Sequence, residues 1–244
     1  MIASLPMYWR SENAVAWQQY WHRVQANATS LGLPPLTAPE NLPISWYDHW
    51  LRADLILSQT CGLPFRTKLK GKVAYVTTPD FGLSDCAPGH YCSVALRRKG
   101  QQDGWRLARN ADDSQSGWAA ALDYLTTQHR DAYSQIIDTG AHAASAHAVA
   151  DGHADIACVD AVTWRLIQQH DDVASTLEVV ASTRPTPALP LITSLDQNPD
   201  PLRIALRAGL ADTPEEDRQA MGGLRGFVDL SPEDYFRVPL PATD

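Results

Sequence analysis

The sequence predicts an α/β fold built on mostly parallel sheets, and three observations carry that expectation. Short apolar runs rich in aliphatic and β-branched residues alternate with stripes of helical period along most of the chain. The 244 residues are 44% hydrophobic and 20% charged, which are globular proportions and enough to bury a core in one large domain or two small ones. No internal repeat or low-complexity segment interrupts the alternation. No apolar run approaches the roughly 20 residues of a membrane span.

Taken in order, residues 1–6 form a brief apolar opening that reads as a strand. Ala14, Trp17, Trp21, Val24, Ala28 and Leu31 then recur at steps of three and four, the stripe of an amphipathic helix. Ser11 is placed to cap it and Gly32 to stop it. A Pro-rich loop covers 33–43. Residues 53–58, 73–78 and 91–98 read as strands. A second cycle follows, with strands at 105–109, 133–138, 154–159 and 177–182. Helices are predicted after 117, from His142 to Gly152, and from Asp160 through Ile167. In the tail, Asp200-Pro201 offers an N-cap with proline at the first helical position. Thr213 and Glu216 have the spacing of a capping box.

Charge and cysteine content exclude some functions. Lys and Arg number 20 against 28 Asp and Glu, a net charge of −8, so a nucleic-acid or anionic-membrane partner is not expected. The first ten residues hold neither a basic leader nor a long apolar stretch, so they predict a soluble chain without an export address, and hence a cytoplasmic location. The four cysteines at 61, 86, 92 and 158 include no Cys-x-x-Cys pair, and no zinc site is expected. Cys61, Cys86 and Cys92 fall in one stretch and are able to supply one disulfide in an oxidising compartment; otherwise all four are buried thiols.

In α/β sheets, ligands sit beyond the carboxyl ends of strands, where the next helices begin. The aromatics Tyr8 and Trp9 follow the first strand, and polar residues gather at the other such places: Gln59 and Thr60 after the second, Asn110 to Gly117, Thr139 to His142, and Asp160. Ser114, Ser116 and Gly117 at a helix start offer hydroxyls and backbone N–H groups to an anion, helped by the helix dipole and without Lys or Arg. Thr139, Gly140 and His142 repeat the pattern. Either serine is equally suited to capping its helix, and His142 to being a satisfied structural histidine. Trp46 and Tyr47 are further candidates for an aromatic ligand wall, whereas Trp17 and Trp21 belong to the core.

Several short motifs occur in a fixed order. They are Ser4-Leu-Pro-Met-Tyr8, Leu57-Ser-Gln-Thr-Cys-Gly62, Tyr91-Cys-Ser93 and Asn110-x-x-x-Ser-x-Ser-Gly117. Thr139-Gly-Ala-His142 with Ser145, and Val149-Ala-Asp-Gly-His-Ala-Asp-Ile-Ala157 with Asp160, follow. Together they resemble the PhnD-like phosphate/phosphonate substrate-binding proteins of ABC transporters, over about residues 1–195. The resemblance implies a two-lobed type II periplasmic-binding-protein fold, with lobe one at 1–85 plus 186–244, lobe two at 86–185, two crossing segments and a ligand cleft between the lobes. It also implies non-catalytic binding of a small oxyanion, a transporter permease as partner, a monomer and, for the family, a periplasmic location. The anion site would fall on Ser114, Ser116 and Gly117 beside His142, with Tyr91 and Ser93 near a crossing segment. Asp160 would be the acidic group that meets a ligand amine. The Asp112-Asp113 pair preceding the serines is compatible with a dianion where both carboxylates point outward.

Two other classes of function compete. An enzyme of cofactor or vitamin biosynthesis on the same fold would use Cys61, His142 and Asp160 as nucleophile, base and orienter. A cytosolic effector-binding module would signal to a protein partner. A metal site on His142, His147 and His153 is not expected, because residues five apart on a helix diverge by about 140°. No cofactor is expected.

Overall fold

The computed structural model describes residues 1–241. The chain begins with strand β1 (Ile2–Ala3), helices α1 (Ala14–Ala26) and α2 (Trp46–Trp50), β2 (Leu55–Gln59), α3 (Gly62–Arg66) and β3 (Val73–Asp80). Next come β4 (His90–Tyr91), β5 (Ser93–Arg98), β6 (Arg106–Arg109), α4 (Ala120–Thr127) and β7 (Gln135–Asp138). They are followed by α5 (His142–Ala150), β8 (Ile156–Asp160), α6 (Ala161–His170) and β9 (Leu177–Ser182). The last elements described are β10 (Thr186–Pro187), β11 (Leu191–Ser194), α7 (Pro199–Ala211), α8 (Glu215–Ala220), β12 (Gly226–Val228) and α9 (Pro232–Phe236). β4 and β10 form a two-stranded ladder. The chain divides into two compact units, one of Met1–Gly82 with Pro187–Phe236 and one of Leu83–Thr186 with residues 237–241. The lobe boundaries expected from sequence placed 237–241 with the first unit. Val238, Pro239 and Leu240 instead give the second unit an apolar wall.

The first unit holds a sheet in the order β1-β2-β11-β3-β12. β1 and β2 pair in parallel, and β11 lies antiparallel between β2 and β3, so β1, β2 and β3 share a direction while β11 and β12 oppose it. β2 is buried along its whole length, as its continuous Leu-Ile-Leu run requires. Leu55, Phe65, Leu69, Val73, Ile192 and Tyr235 pack together on one face. On α1 the expected stripe is buried through Trp17, Trp21 and Val24, joined by Tyr20. α1 packs on α7 at Gly209, where an added Cβ would stand 2.6 Å from Val24 Cγ2, so only glycine allows the two helices this approach.

The second unit holds a sheet in the order β7-β6-β8-β5-β9. β6 pairs in parallel with β7 and β8, while β5 runs antiparallel to both β8 and β9, so four strands share a direction and β5 opposes them. Alternation along the strands fills two cores. Val94, Leu96, Ala108, Ala157 and Val159 face one side with residues of α5 and α6, and Ala95, Leu107, Ile156 and Cys158 face the other with Ala121 and Tyr124 of α4. Asp155, inside one of the quoted motifs, is structural. Its carboxylate accepts from the Arg106 guanidinium at 2.8 and 3.0 Å and from the Arg106 backbone N–H at 2.9 Å. That pairing holds its carboxyl down at about 2.

The α/β class therefore stands, with mixed sheets: β5 is reversed in one and β11 and β12 in the other, and strand direction depends on connections that local apolar runs do not encode. Several helix ends differ from expectation. Asn13, not Ser11, occupies the N-cap of α1; its side chain accepts from Arg10 N–H and donates to the Tyr8 and Ala220 carbonyls, tying the turn ahead of the helix. Gly32, at φ 56°, ends a later 3₁₀ turn, Thr29–Leu31. Asn198 caps α7 with Pro199 at its first position, two residues before the Asp-Pro pair. No capping box forms at α8, because the Thr213 hydroxyl donates back to the Gly209 carbonyl at 2.7 Å.

Candidate functional site

In the second unit the sheet ends place four expected residues side by side. β6 ends at Arg109 and leads through Asn110 to Ser114, whose hydroxyl accepts the Gly117 N–H at 2.9 Å. Ser114 thereby caps one π-helical turn, Gln115–Ala119, that runs into α4. The Gly117 N–H, expected to be a donor for an anion, is consumed by this cap. Gln115 and Ser116 supply the first N–H groups of the turn, the ones for which a helical segment has no carbonyl of its own. Ser114 and Ser116 are buried. Asp112 is exposed and Asp113 half-buried.

His142 opens α5, and its Nε2 is hydrogen-bonded to Ser116 Oγ at 2.8 Å. Burial holds its imidazole down at about 4, so it is neutral at pH 7. Its Nδ1 is buried and has no hydrogen-bond partner among the described residues, and the same holds for Asn110 Oδ1. Asn110 lies against the turn so closely that a Cβ on Gly117 would stand 1.9 Å from its Oδ1. The Ser93 hydroxyl donates to the Ser116 carbonyl at 3.0 Å, and the Ser93 N–H donates to Thr183 Oγ1 at 2.9 Å. Tyr91, Ser93, Gln115, Ser116 and Thr183 line one end of a cavity of about 440 Å³. Ala119 at the end of the turn and Leu122 and Leu125 along α4, with Val238 and Leu240, give it apolar walls. Such a lining, mostly apolar with a few fixed polar groups, is typical of small-molecule sites.

Thr139 and Asp160 serve other tasks. Thr139 Oγ1 lies 2.6 Å from Ser145 Oγ and within hydrogen-bond distance of the Arg109 and Ala141 carbonyls, so it binds the β7–α5 turn to β6. Asp160 Oδ1 accepts the Val162 N–H at 2.7 Å and the Thr163 N–H at 3.1 Å, which makes it the N-cap of α6. With its carboxylate turned to the helix and His142 Nδ1 without a partner among the described residues, the base–orienter bond of a catalytic triad is missing. Cys61, the third member drawn for that triad, stands at the N-cap position of α3 in the first unit without a side-chain capping bond.

Of the first-unit residues named from sequence, Tyr8, Gln59 and Thr60 lie inside the fold. Tyr8 is 3% exposed and packs edge-on against Phe81, with ring centroids 4.8 Å apart. The Gln59 amide donates to the Leu189 carbonyl at 3.4 Å, and the Thr60 N–H donates to the Pro190 carbonyl at 3.1 Å. Trp46 stacks on Trp50 and Lys68 lies over the Tyr47 ring, so both aromatics belong to the α2 surface. One cluster escaped the sequence argument. Ser4, His49 and Ser58 form a fully buried triangle, with His49 Nε2 at 2.9 Å from each serine oxygen and the two serines 3.0 Å apart. The signal available was the pairing of β1 with β2, which brings Ser4 and Ser58 level; the third member, on α2, had no local mark. Among the described residues, no group of three or more His, Cys, Asp or Glu is placed to hold a metal ion, and no helix is long and apolar enough to cross a membrane.

No curated protein matches the chain. Among solved structures, a chloride-bound protein of Xanthomonas citri superposes with a TM-score of 0.70 at 13% identity, covering 97% of this chain and 94% of the other. A binding-protein component of an ABC phosphonate transporter from Pseudomonas aeruginosa gives 0.70 at 15% identity, covering 96% and 82%. PhnD1 of Prochlorococcus marinus in complex with methylphosphonate gives 0.70 at 12% identity, covering 96% and 94%. These likenesses show a periplasmic-binding-protein fold. The family model described as the phosphonate periplasmic substrate-binding protein of ABC transporters matches residues 94–235, more than half of the sequence. The chain belongs to that family, whose members bind solute as the substrate-binding component of a transporter and are not enzymes.

Proposed function

We propose that this protein binds a phosphonate- or phosphate-class oxyanion and delivers it to the permease of an ABC transporter. The carrying observation is Ser116, which lines the 440 Å³ cavity beside Tyr91 and Ser93 while its hydroxyl is held by His142 Nε2 at 2.8 Å. The imidazole is neutral; in its Nε2–H tautomer it donates to Ser116 Oγ, and the serine O–H then turns either to Ser114 Oγ, 3.4 Å away, or to a ligand oxygen. The N–H group of Ser116, at the positive end of the helical segment, adds a further donor. Ser93, through the Ser116 carbonyl, fixes the turn's position. Ser114, Gly117 and Asn110 shape the turn, and Thr139 holds the loop that carries His142. Asp160 supports the helix that follows β8, so recognition of a ligand amine does not rest on it.

Thermal-shift and calorimetric titrations with phosphate, phosphite, methylphosphonate, 2-aminoethylphosphonate and sulfate test this proposal. A bound oxyanion at 100 times its dissociation constant adds about 2.7 kcal/mol to stability. Ser116→Ala removes one donor and should weaken binding by about tenfold or more while leaving the fold intact. Absence of a shift with every anion, or an unchanged dissociation constant in Ser116→Ala, overturns the assignment.

A further inference from the structure

We infer that the cavity of the second unit takes an oxyanion bearing an apolar organic substituent of about the size of a phenyl ring, and that α4 with residues 238–240 forms the subsite for that substituent. The inference rests on the oxyanion reading of Ser116 and names the class of ligand held there. Size carries the first step. The five heavy atoms of phosphate, at the roughly 30 Å³ that a water molecule takes up, fill about 150 Å³. That is about a third of the cavity's 440 Å³. The whole volume lies in the range of about 300–1,000 Å³ found for pockets that bury organic ligands.

The chemistry of the wall carries the second step. Ala119, Leu122 and Leu125 follow Ser116 at steps of three along the turn and α4, and all four line the cavity. From Ala119 to Leu125 this strip runs about 9 Å at about 1.5 Å per residue. Val238 and Leu240 add apolar surface from the segment that ends the described chain. Leu122 is half-buried and Leu240 is 62% exposed, so both keep apolar surface that a ligand would take out of water.

The charged groups on the same wall offer little to a polar substituent. Arg184 is paired with Asp123, and Arg130 lies over the Trp105 ring at 4.1 Å. Asp131 is exposed, and an ion pair with a ligand ammonium contributes little in water. An aryl group suits the strip better than a flexible chain of equal area, because it has no torsions to immobilise.

Titration calorimetry on the full chain compares phosphate, methylphosphonate, n-butylphosphonate, phenylphosphonate, phenyl phosphate and 2-aminoethylphosphonate. Affinity should rise about fourfold per buried methylene from methyl to butyl. Phenylphosphonate should bind about tenfold or more tighter than methylphosphonate, with a more negative heat-capacity change. 2-Aminoethylphosphonate should gain nothing over methylphosphonate. Tight binding of phenylphosphonate or of phenyl phosphate supports the subsite, and the tighter of the two identifies the head group. Leu122→Asn and Leu240→Ser should each lower the ratio of phenylphosphonate to methylphosphonate affinity by about fivefold, and Leu122→Met should retain it. Leu240 is exposed, so its replacement leaves the fold in place. Phenyl- and butylphosphonate that bind no tighter than methylphosphonate, or a ratio unmoved in both Leu122→Asn and Leu240→Ser, overturn this inference while the oxyanion reading stands. If none of the six anions binds, both fall.

Discussion

Replacing Gly117 by alanine tests the geometry of the turn most directly. The new Cβ would stand 1.9 Å from Asn110 Oδ1, 3.0 Å from Asn110 Cγ and 3.3 Å from His142 Cε1. An ordinary contact begins near 3.4 Å, so the Asn110 amide has to retreat by about 1.5 Å or the turn has to lift off β6. Overpacking of this kind costs about 1–3 kcal/mol, and alanine's better helix propensity returns up to about 1 kcal/mol of it. A net loss of about 1–2 kcal/mol is expected. Asn110→Ala alone should be close to neutral, because Oδ1 is buried with no hydrogen-bond partner among the described residues and its removal strands no donor. The double variant should recover most of the loss, giving a coupling energy of about 1 kcal/mol. Urea unfolding followed by tryptophan fluorescence measures all four corners of the cycle. A Gly117→Ala protein as stable as the parent, or a loss that persists in the Asn110→Ala background, refutes the contact on which the reasoning rests.

Acid should weaken the fold well before its carboxylates titrate. His49 in the first unit and His142 in the second are both held at about 4, chiefly by burial, against 6.5 in an exposed chain. The unfolded chain takes up protons near 6.5 and the folded chain does not until about 4. Stability is therefore complete above 6.5 and is lost as pH falls through that window, by about 2 kcal/mol per histidine between pH 7 and 5. Urea midpoints that stay constant from pH 7 to 5 contradict this, and His49→Gln should reduce the slope. Asp160→Ala removes the cap on Val162 and Thr163 and should cost about 1 kcal/mol, yet leave the affinity for 2-aminoethylphosphonate within about twofold. A tenfold loss confined to that ligand in titration calorimetry would return Asp160 to the ligand's amine.

The repeating elements were legible because their signals are local. β9 begins and ends where the run Leu177–Ser182 does, and β8 ends on Asp160 as its apolar stretch does. Asn110, Ser114, Ser116 and His142 were legible as a group because strand ends collect small polar residues before helices. What local signals could not supply was the partner of each polar group. Thr213 had the spacing of a capping box, but the carbonyl of Gly209 on the preceding helix competes for its hydroxyl. Asp160 had the charge to meet an amine, but two backbone N–H groups of its own helix engage its Oδ1. Tyr8 followed a strand like a cleft residue, and the Phe81 ring, distant in sequence, buries it. α2 was missed for a related reason: five residues give too short a stripe to show a period, and only the Ser45 hydroxyl accepting the Asp48 N–H marks its start.

The net charge of −8 also takes on a different meaning once the cavity is described. Arg184 is paired with Asp123, and Arg130 lies over the Trp105 ring at 4.1 Å, so the cations on the wall are already engaged. Arg109, next to the turn, is bonded to Asp138 at 2.6 Å and stacked on Trp118. The wall carries two arginines and two aspartates, Asp123 and Asp131, which leaves it without excess charge. On the proposed function, selection of an anion there falls to neutral donors with fixed directions: the Ser116 hydroxyl and the Ser116 N–H of the turn. A neutral imidazole suits that arrangement better than a charged one would. In the Nε2–H tautomer it passes its hydrogen bond to Ser116 without adding a cation that every passing anion would meet, so on the proposed function discrimination among oxyanions would follow from the number and direction of ligand oxygens rather than from charge alone.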